Sequence, residues 1–257
     1  MSRSIEVTLH LPRPLAGTDA ELFLLLRSHL EAEGVQIETE PPSGQAFSLD
    51  RLPQIAALNL EAAGVEVRSN LIPVNARLQT SNPRIYACGE ALGGYGLPNL
   101  AEVEAQVAIE NALFWPRRSI NYGQIPWAIQ TRSELAQVGL SERQARRHYG
   151  RKVEIVRQAY RSIDRATVSG DPIGLCKFVL KPDGKILGAH LFGANASETI
   201  APIALALQQN LSIQDLESIA PHATWGEILS ESARQWQRDR RPNWQREWIE
   251  RWFDWRR

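Results

Sequence analysis

Late in the chain stands His222-Ala223-Thr224-Trp225-Gly226-Glu227. An imidazole titrates close to neutrality, and a carboxylate hydrogen-bonded to one ring nitrogen fixes the tautomer and raises basicity, so a histidine and a glutamate are residue types that general acid/base chemistry uses. The opposing reading is a helix-start pair kept for packing or capping. A second stretch, Ile85 to Glu90, ends a candidate strand on Gly89, where backbone can approach a bound group, and puts the Glu90 carboxylate beside it. Cys88 and Cys176 cannot make a disulfide framework, and their separation matches no zinc or thioredoxin-like spacing; they read as inert buried thiols. His10, His29, His148 and His190 show no ligand spacing and read as structural, so no metal site is expected.

These residues need elements to hold them. Ile5 to Leu11 reads as a strand broken by Pro12, Pro14 and Gly17. Thr18 or Asp19 can cap the helix that follows, on which Leu22, Leu25, Leu26 and Leu30 recur at helical spacing. Val35 to Thr39 completes a β-α-β unit. Val65 to Val67, Leu71 to Val74 and Arg84 to Ala87 read as short strands, and Leu100 to Leu113 as a helix reached through the glycine-rich turn Gly89 to Gly96. After a boundary at Pro116 to Gln124 come strands at Val153 to Tyr160 and Gly174 to Leu180, a Pro182-Asp183-Gly184 turn, and a strand at Lys185 to Phe192. Helices are expected at Ala196 to Gln209, Ile213 to Ile219 and Thr224 to about Trp236.

At 257 residues the chain predicts one large or two modest domains, at roughly 150 residues each. With 29 basic and 29 acidic side chains, zero net charge speaks against a nucleic-acid partner, which demands a basic excess. The start has no secretory signal pattern and no stretch approaches 18 uninterrupted apolar residues, which predicts a cytoplasmic, non-spanning protein. Trp244, Trp248, Trp252 and Trp255 form one helical face, interleaved with arginines. That stripe can pack on its own domain or across a dimer, dock a partner, or lie on a membrane surface; stacking of single-stranded bases is a minor option.

The segment Ile85-Tyr86-Ala87-Cys88-Gly89-Glu90, with Leu97-Pro98-Asn99-Leu100-Ala101 and Glu104-Ala105 leading to Glu110-Asn111-Ala112-Leu113, resembles the second flavin-contacting segment of the class I pyridine nucleotide-disulfide oxidoreductases. That family includes dihydrolipoamide dehydrogenase, glutathione reductase and mercuric reductase. Ile125-Pro126, Glu134, Val138 to Glu142, Ala145, Asp164-Arg165-Ala166, Gly174 to Lys177, Ile186 to His190 and Ala196 to Glu198 resemble its C-terminal dimerisation domain, in order. His222 to Glu227 is similar to its closing His-Pro-Thr-x-x-Glu signature, with Ala223 replacing the proline. Upstream, Arg51-Leu52-Pro53-Gln54 resembles the segment leaving the nicotinamide domain, and Ile5 to Gln36 that domain's second β-α-β unit.

The resemblance implies an α/β fold: a truncated nucleotide-binding-type region, then an α+β dimerisation domain with an antiparallel sheet flanked by helices. It divides the chain into a nicotinamide-domain remnant (1–50), a flavin-contacting segment (51–118), a dimerisation domain (119–236) and a Trp/Arg-rich C-terminal helix (237–257). It implies FAD as cofactor, held by Gly89, Glu90, Leu100 and Ala101, with the carboxylate on the ribityl hydroxyls and the helix N-terminus facing the ring's pyrimidine oxygen. Glu90 is a methylene longer than the family's aspartate. His222 takes the role of acid/base toward the redox thiol of the other subunit, oriented by Glu227.

What the sequence lacks qualifies that picture. It holds no G-x-G-x-x-G for the ADP half of FAD or for NAD(P)H, and no Cys-x4-Cys redox pair to take electrons from a flavin. The expectation is an oxidoreductase-like chain, inactive alone, serving as the dimerisation and acid/base half. It would be a homodimer working with a separate polypeptide that carries the FAD-binding front half. The alternative is a non-catalytic dimeric interaction protein or a degenerate reductase fragment.

Overall fold

The computed structural model describes residues 7–10, 17–40, 53–94 and 96–240. The Trp244 to Trp255 stripe and Arg51-Leu52 lie outside the described residues. The first half runs β1 (Thr8–His10), α1 (Ala20–Ala32), β2 (Gln36–Glu38) and α2 (Pro98–Leu113). The second half runs β3 (Trp127–Ile129), β4 (Glu134–Gly139), α3 (Glu142–Tyr149), β5 (Glu154–Ala159), α4 (Asp164–Ser169), β6 (Gly174–Leu180), β7 (Ile186–Gly193), α5 (Ala196–Gln208) and α6 (Glu227–Arg240). Two compact units result: one holds the described parts of Met1–Ala16 with Gln36–Trp127, the other Gly17–Val35 with the described parts of Ala128–Arg257.

In the first unit β1 and β2 pair in parallel, Thr8 opposite Gln36. The other three strands expected here do not form: only isolated bridges join Arg68 to Leu71 and Gln79 to Tyr86. Asn59, Ser69, Asn70 and Leu78 take positive φ, which turns the backbone too often for a ladder to grow. Two small clusters replace a sheet core, one of Ile55, Val65, Ile72 and Ala87, the other of Leu78, Val107 and Ala108. Pro98 at the first turn of α2 costs nothing, since its missing N–H would be unpaired there. The buried residues of that helix, Leu100, Glu104, Val107, Ala108 and Asn111, share one face. Asn111 donates to the Arg77 and Arg118 carbonyls at 3.0 and 2.7 Å, fixing the segment that leaves the helix.

The second unit is built on a sheet of order β3-β4-β7-β6-β5. Its four strands from β4 to β5 pair antiparallel, and strict alternation sorts their residues. Ala136, Val138, Cys176, Phe178, Ala189 and Leu191 meet α5 and α6 in the main core. On the opposite face Leu135 and Phe192 pack against Leu22 and Leu26 of α1. The helix expected within the first segment thus belongs to the second unit, where burying each leucine contributes about 2 kcal/mol.

The middle of that second face is polar. Gln137, His190, Lys177 and Arg157 lie opposite one another across β4, β7, β6 and β5, a transverse row through the sheet. The segment Ile213 to Ile219, expected as a helix, makes a single 3-10 turn over Ile213–Leu216, because Ser212 and Asp215 close a capping box across only one turn. Ser141 and Gln144 form a fuller capping box and start α3.

Candidate functional site

The His222 loop is folded by its own polar atoms. Thr224 Oγ1 donates to the Pro221 carbonyl at 2.8 Å, and the Glu227 amide donates to the Thr224 carbonyl at 3.2 Å. Trp225 anchors the loop against buried Tyr160, ring centroids 5.8 Å apart, under the Arg165 guanidinium. His222 Nδ1 lies 3.2 Å from Glu227 Oε1, so the two residues expected to act together do meet. A second carboxylate, which the sequence did not single out for this site, completes the set: Asp164, at the start of α4, stands 3.3 Å from His222 Nε2. A neutral imidazole has one N–H and can donate to only one of these carboxylates; the protonated ring donates to both. The imidazole is three-quarters exposed, whereas Glu227 Oε2 is buried without a partner among the described residues.

Ala223 has φ +56°. Proline's ring fixes φ near −65°, so this loop has a shape that a His-Pro-Thr segment cannot adopt. The replacement of proline changes the path of the backbone at His222 as well as its stiffness.

The glycine turn is organised differently from the expectation. Gly89 takes φ +68° and packs over the first turn of α2, where an added Cβ would touch Ala101 Cβ at 3.4 Å. The Gly89 amide donates to Glu104 Oε2 at 2.6 Å. Glu104 Oε1 in turn accepts from the Tyr122 hydroxyl at 2.7 Å. The Leu100 and Ala101 amides donate to the Leu97 carbonyl at 3.1 and 3.2 Å. Beside this cluster lies a cavity of about 400 Å³ lined by Ile72, Val74, Leu92, Leu100, Glu104 and Tyr122. Glu90 is exposed, on the short 3-10 turn that begins at Gly89. The Gly89, Leu100 and Ala101 amides, which the resemblance turns toward a flavin, already have acceptors within the chain, so they do not fit a flavin at Gly89.

Neither thiol is poised as a nucleophile. Burial, reinforced by the Glu104 charge, pushes Cys88 up, and complete burial pushes Cys176 up to about 12. Among the described residues no group of three His, Cys, Asp or Glu side chains can hold a metal ion, and no helix is long and apolar enough to cross a membrane. Asp164, Glu104 and Tyr122 are the site residues that sequence reasoning missed. Asp164 and Glu104 stood inside the matched motifs, but nothing in their spacing reveals what their side chains reach.

Residues 125–233 match the family model described as the pyridine nucleotide-disulphide oxidoreductase dimerisation domain. Dihydrolipoyl dehydrogenase of Bacillus subtilis is 30% identical over 246 residues, covering 86% of this chain and 53% of the relative. That of Thermus scotoductus is 33% identical over 261 residues, covering 89% and 56%. Mercuric reductase of Staphylococcus aureus is 35% identical over 193 residues, covering 74% and 35%. The chain therefore spans about half the length of the dihydrolipoyl dehydrogenases it matches. Among solved structures, the Cu(II) complex of the HOCl-induced flavoprotein disulfide reductase RclA of Escherichia coli superposes with a TM-score of 0.77 at 23% identity, covering 90% of this chain and 58% of that one. LpdA of Mycobacterium tuberculosis gives 0.77 at 22%, covering 90% and 56%; both share the fold. Through its dimerisation domain at residues 125–233, this chain belongs to the class I pyridine nucleotide-disulfide oxidoreductase family.

Proposed function

We propose that the chain is the dimerisation and acid/base half of a disulfide oxidoreductase assembly, a homodimer that supplies His222 and Glu227 to a separate polypeptide bearing the flavin and the redox thiols. The observation that carries this reading is the 3.2 Å contact between His222 Nδ1 and Glu227 Oε1. A carboxylate on one nitrogen sets the tautomer and leaves the other nitrogen to move a proton to or from a thiol. Exposed Val168, Leu205 and Ile219 on the second unit are consistent with a surface covered by a second copy. Two free cysteines suit a reducing, cytoplasmic setting.

A second reading, a non-catalytic dimeric interaction protein, draws on the contact between His222 Nε2 and Asp164 at 3.3 Å, which engages the nitrogen that would face a thiol. Here the Trp244 to Trp255 stripe meets a partner or a membrane surface, which co-sedimentation with anionic vesicles would detect. The two readings part in one experiment. The purified chain is sized by sedimentation equilibrium, then combined with front-half polypeptides of the family and assayed for NAD(P)H-dependent disulfide reduction. A dimer that restores turnover, and loses about 10²-fold or more of it in His222→Gln, supports the first reading. A dimer that restores nothing supports the second, and a monomer removes both.

A further inference from the structure

We propose that Glu104 and Tyr122 form an internal ligand of the glycine turn: from within the chain they occupy the backbone amide that the turn would offer to a bound cofactor, and so close the cavity to flavins. The proposal does not depend on any role of His222, and every residue it uses lies in the first unit.

Glu104 sits in the second turn of α2. Helical side chains lean toward the N-terminus, so its carboxylate reaches back to the end of the helix where the macrodipole favours negative charge. It is only 4% exposed, and a buried carboxylate needs donors. It has one on each oxygen, the Gly89 amide at 2.6 Å and the Tyr122 hydroxyl at 2.7 Å. Both contacts are short, as charge-assisted hydrogen bonds are. Tyr122 is delivered from the segment after the helix, where the Asn121 side chain accepts from the Gly123 amide and Asn99 donates to the Pro126 carbonyl at 2.7 Å.

The geometry of the cluster is that of a carboxylate held by a donor on each oxygen. Burial and then Glu104 push the Tyr122 phenol far above its usual range, because a second negative charge there would face the first. A flavin's pyrimidine edge brings acceptor oxygens to donors. At Gly89 any such acceptor would find the donor already taken by Glu104.

The test uses the full chain labelled with ¹⁵N. Amide exchange at Gly89 is followed with and without FMN, chosen because it needs no glycine loop for an ADP half. In the wild type the amide is protected and its resonance does not move with FMN. In Glu104→Ala, Gly89 exchanges roughly tenfold faster or more. In Tyr122→Phe, which keeps the ring and guards against a Glu104 variant that fails to fold, exchange rises by a smaller factor. A Gly89 resonance that shifts with FMN in the wild type, or exchange in either folded variant equal to that of the wild type, overturns the proposal.

Discussion

Asp19 and Lys177 stand 158 positions apart, and the Lys177 Nζ meets Asp19 Oδ1 at 3.0 Å in the interior of the second unit. Asp19 also caps α1, accepting the Glu21 amide. The same ammonium lies 2.8 Å from Glu21 and 2.8 Å from Glu142. One cation therefore ties the start of α1 and the start of α3 to the middle of β6. Lys177 and Asp19 are each 2% exposed, so removing Lys177 takes from a buried carboxylate its ion-pair partner, whereas removing Asp19 leaves the ammonium with Glu21 and Glu142. We expect Lys177→Met to cost about 3 kcal/mol or more. The double change Lys177→Met with Asp19→Leu should recover part of that loss. Chemical unfolding of the four proteins of the cycle measures the coupling, and additive effects would show that the pair contributes no specific interaction.

The same cluster sets a pH profile. Burial alone would raise the Asp19, Glu21 and Glu142 carboxyls. For Asp19, His190 when charged and Lys177 outweigh it; for Glu21, Arg157 and Lys177; for Glu142, Lys177 and Arg146. All three end below the usual carboxylate range. Burial would lower Lys177, but its three carboxylates raise it. Complete burial lowers His190 despite Asp19. Below about pH 6.5 the unfolded chain takes up a proton at His190 that the folded chain refuses, so stability falls with falling pH. Below about pH 4 the carboxylates repeat the effect more steeply. Above about pH 10.4 the folded chain keeps a proton on Lys177 that the unfolded chain releases, and stability falls again. Melting temperature against pH should thus be flat only from about 7 to about 8.5, above which the unfolded chain also releases the Cys88 and Cys176 protons that the folded chain keeps. In His190→Gln the first acid arm should vanish; an unchanged arm would mean that His190 does not cause it.

At Ala223 the backbone itself can be tested. A side chain at φ +56° costs about 1 kcal/mol, and glycine gives back part of any gain through unfolded-chain entropy. Ala223→Gly should leave the melting temperature unchanged or raise it by about 2 °C. Ala223→Pro should lower it and break the contact between His222 and Asp164, since proline cannot follow this path. A proline variant that melts with the wild type and keeps its His222 resonances would refute this account of the loop.

Asp164 makes a different forecast. Its pair with His222 is exposed on both sides, and such pairs are worth little. Asp164→Ala should change stability by less than about 0.5 kcal/mol yet leave Nε2 uncovered. The rate at which diethyl pyrocarbonate modifies His222, read by peptide mass, should rise. An unchanged rate would mean that Asp164 does not hold the ring.

Three strands of the antiparallel sheet, β5, β6 and β7, were legible because largely apolar runs bounded by turn signals mark them; Gly174 to Leu180 has the boundaries that its composition implies. The pairing of His222 with Glu227 was legible because it is local. The first unit was less so. Val65 and Ile72 are buried as a strand would bury them, but among the described residues no strand lies beside them, and their amides donate instead to the Leu60 and Ala91 carbonyls. The burial of Lys177 was not legible, because the three carboxylates that make it tolerable come from remote segments. Glu104 was equally silent. Alternation and helical spacing show which way a side chain faces, and not the group it meets 15 or 18 residues away along the chain.

The docking of α1 on the far face of the sheet has a consequence for synthesis. Leu22 and Leu26 leave the ribosome long before Leu135 and Phe192, against which they pack, and Asp19 waits 158 positions for Lys177. At about 5–20 residues per second, the helix spends on the order of ten to thirty seconds as a nascent amphipathic segment with its leucines uncovered. Holdase chaperones have that interval in which to bind it. A ribosome that stalls before β7 is complete leaves a chain whose α1 leucines lack Phe192 to close upon.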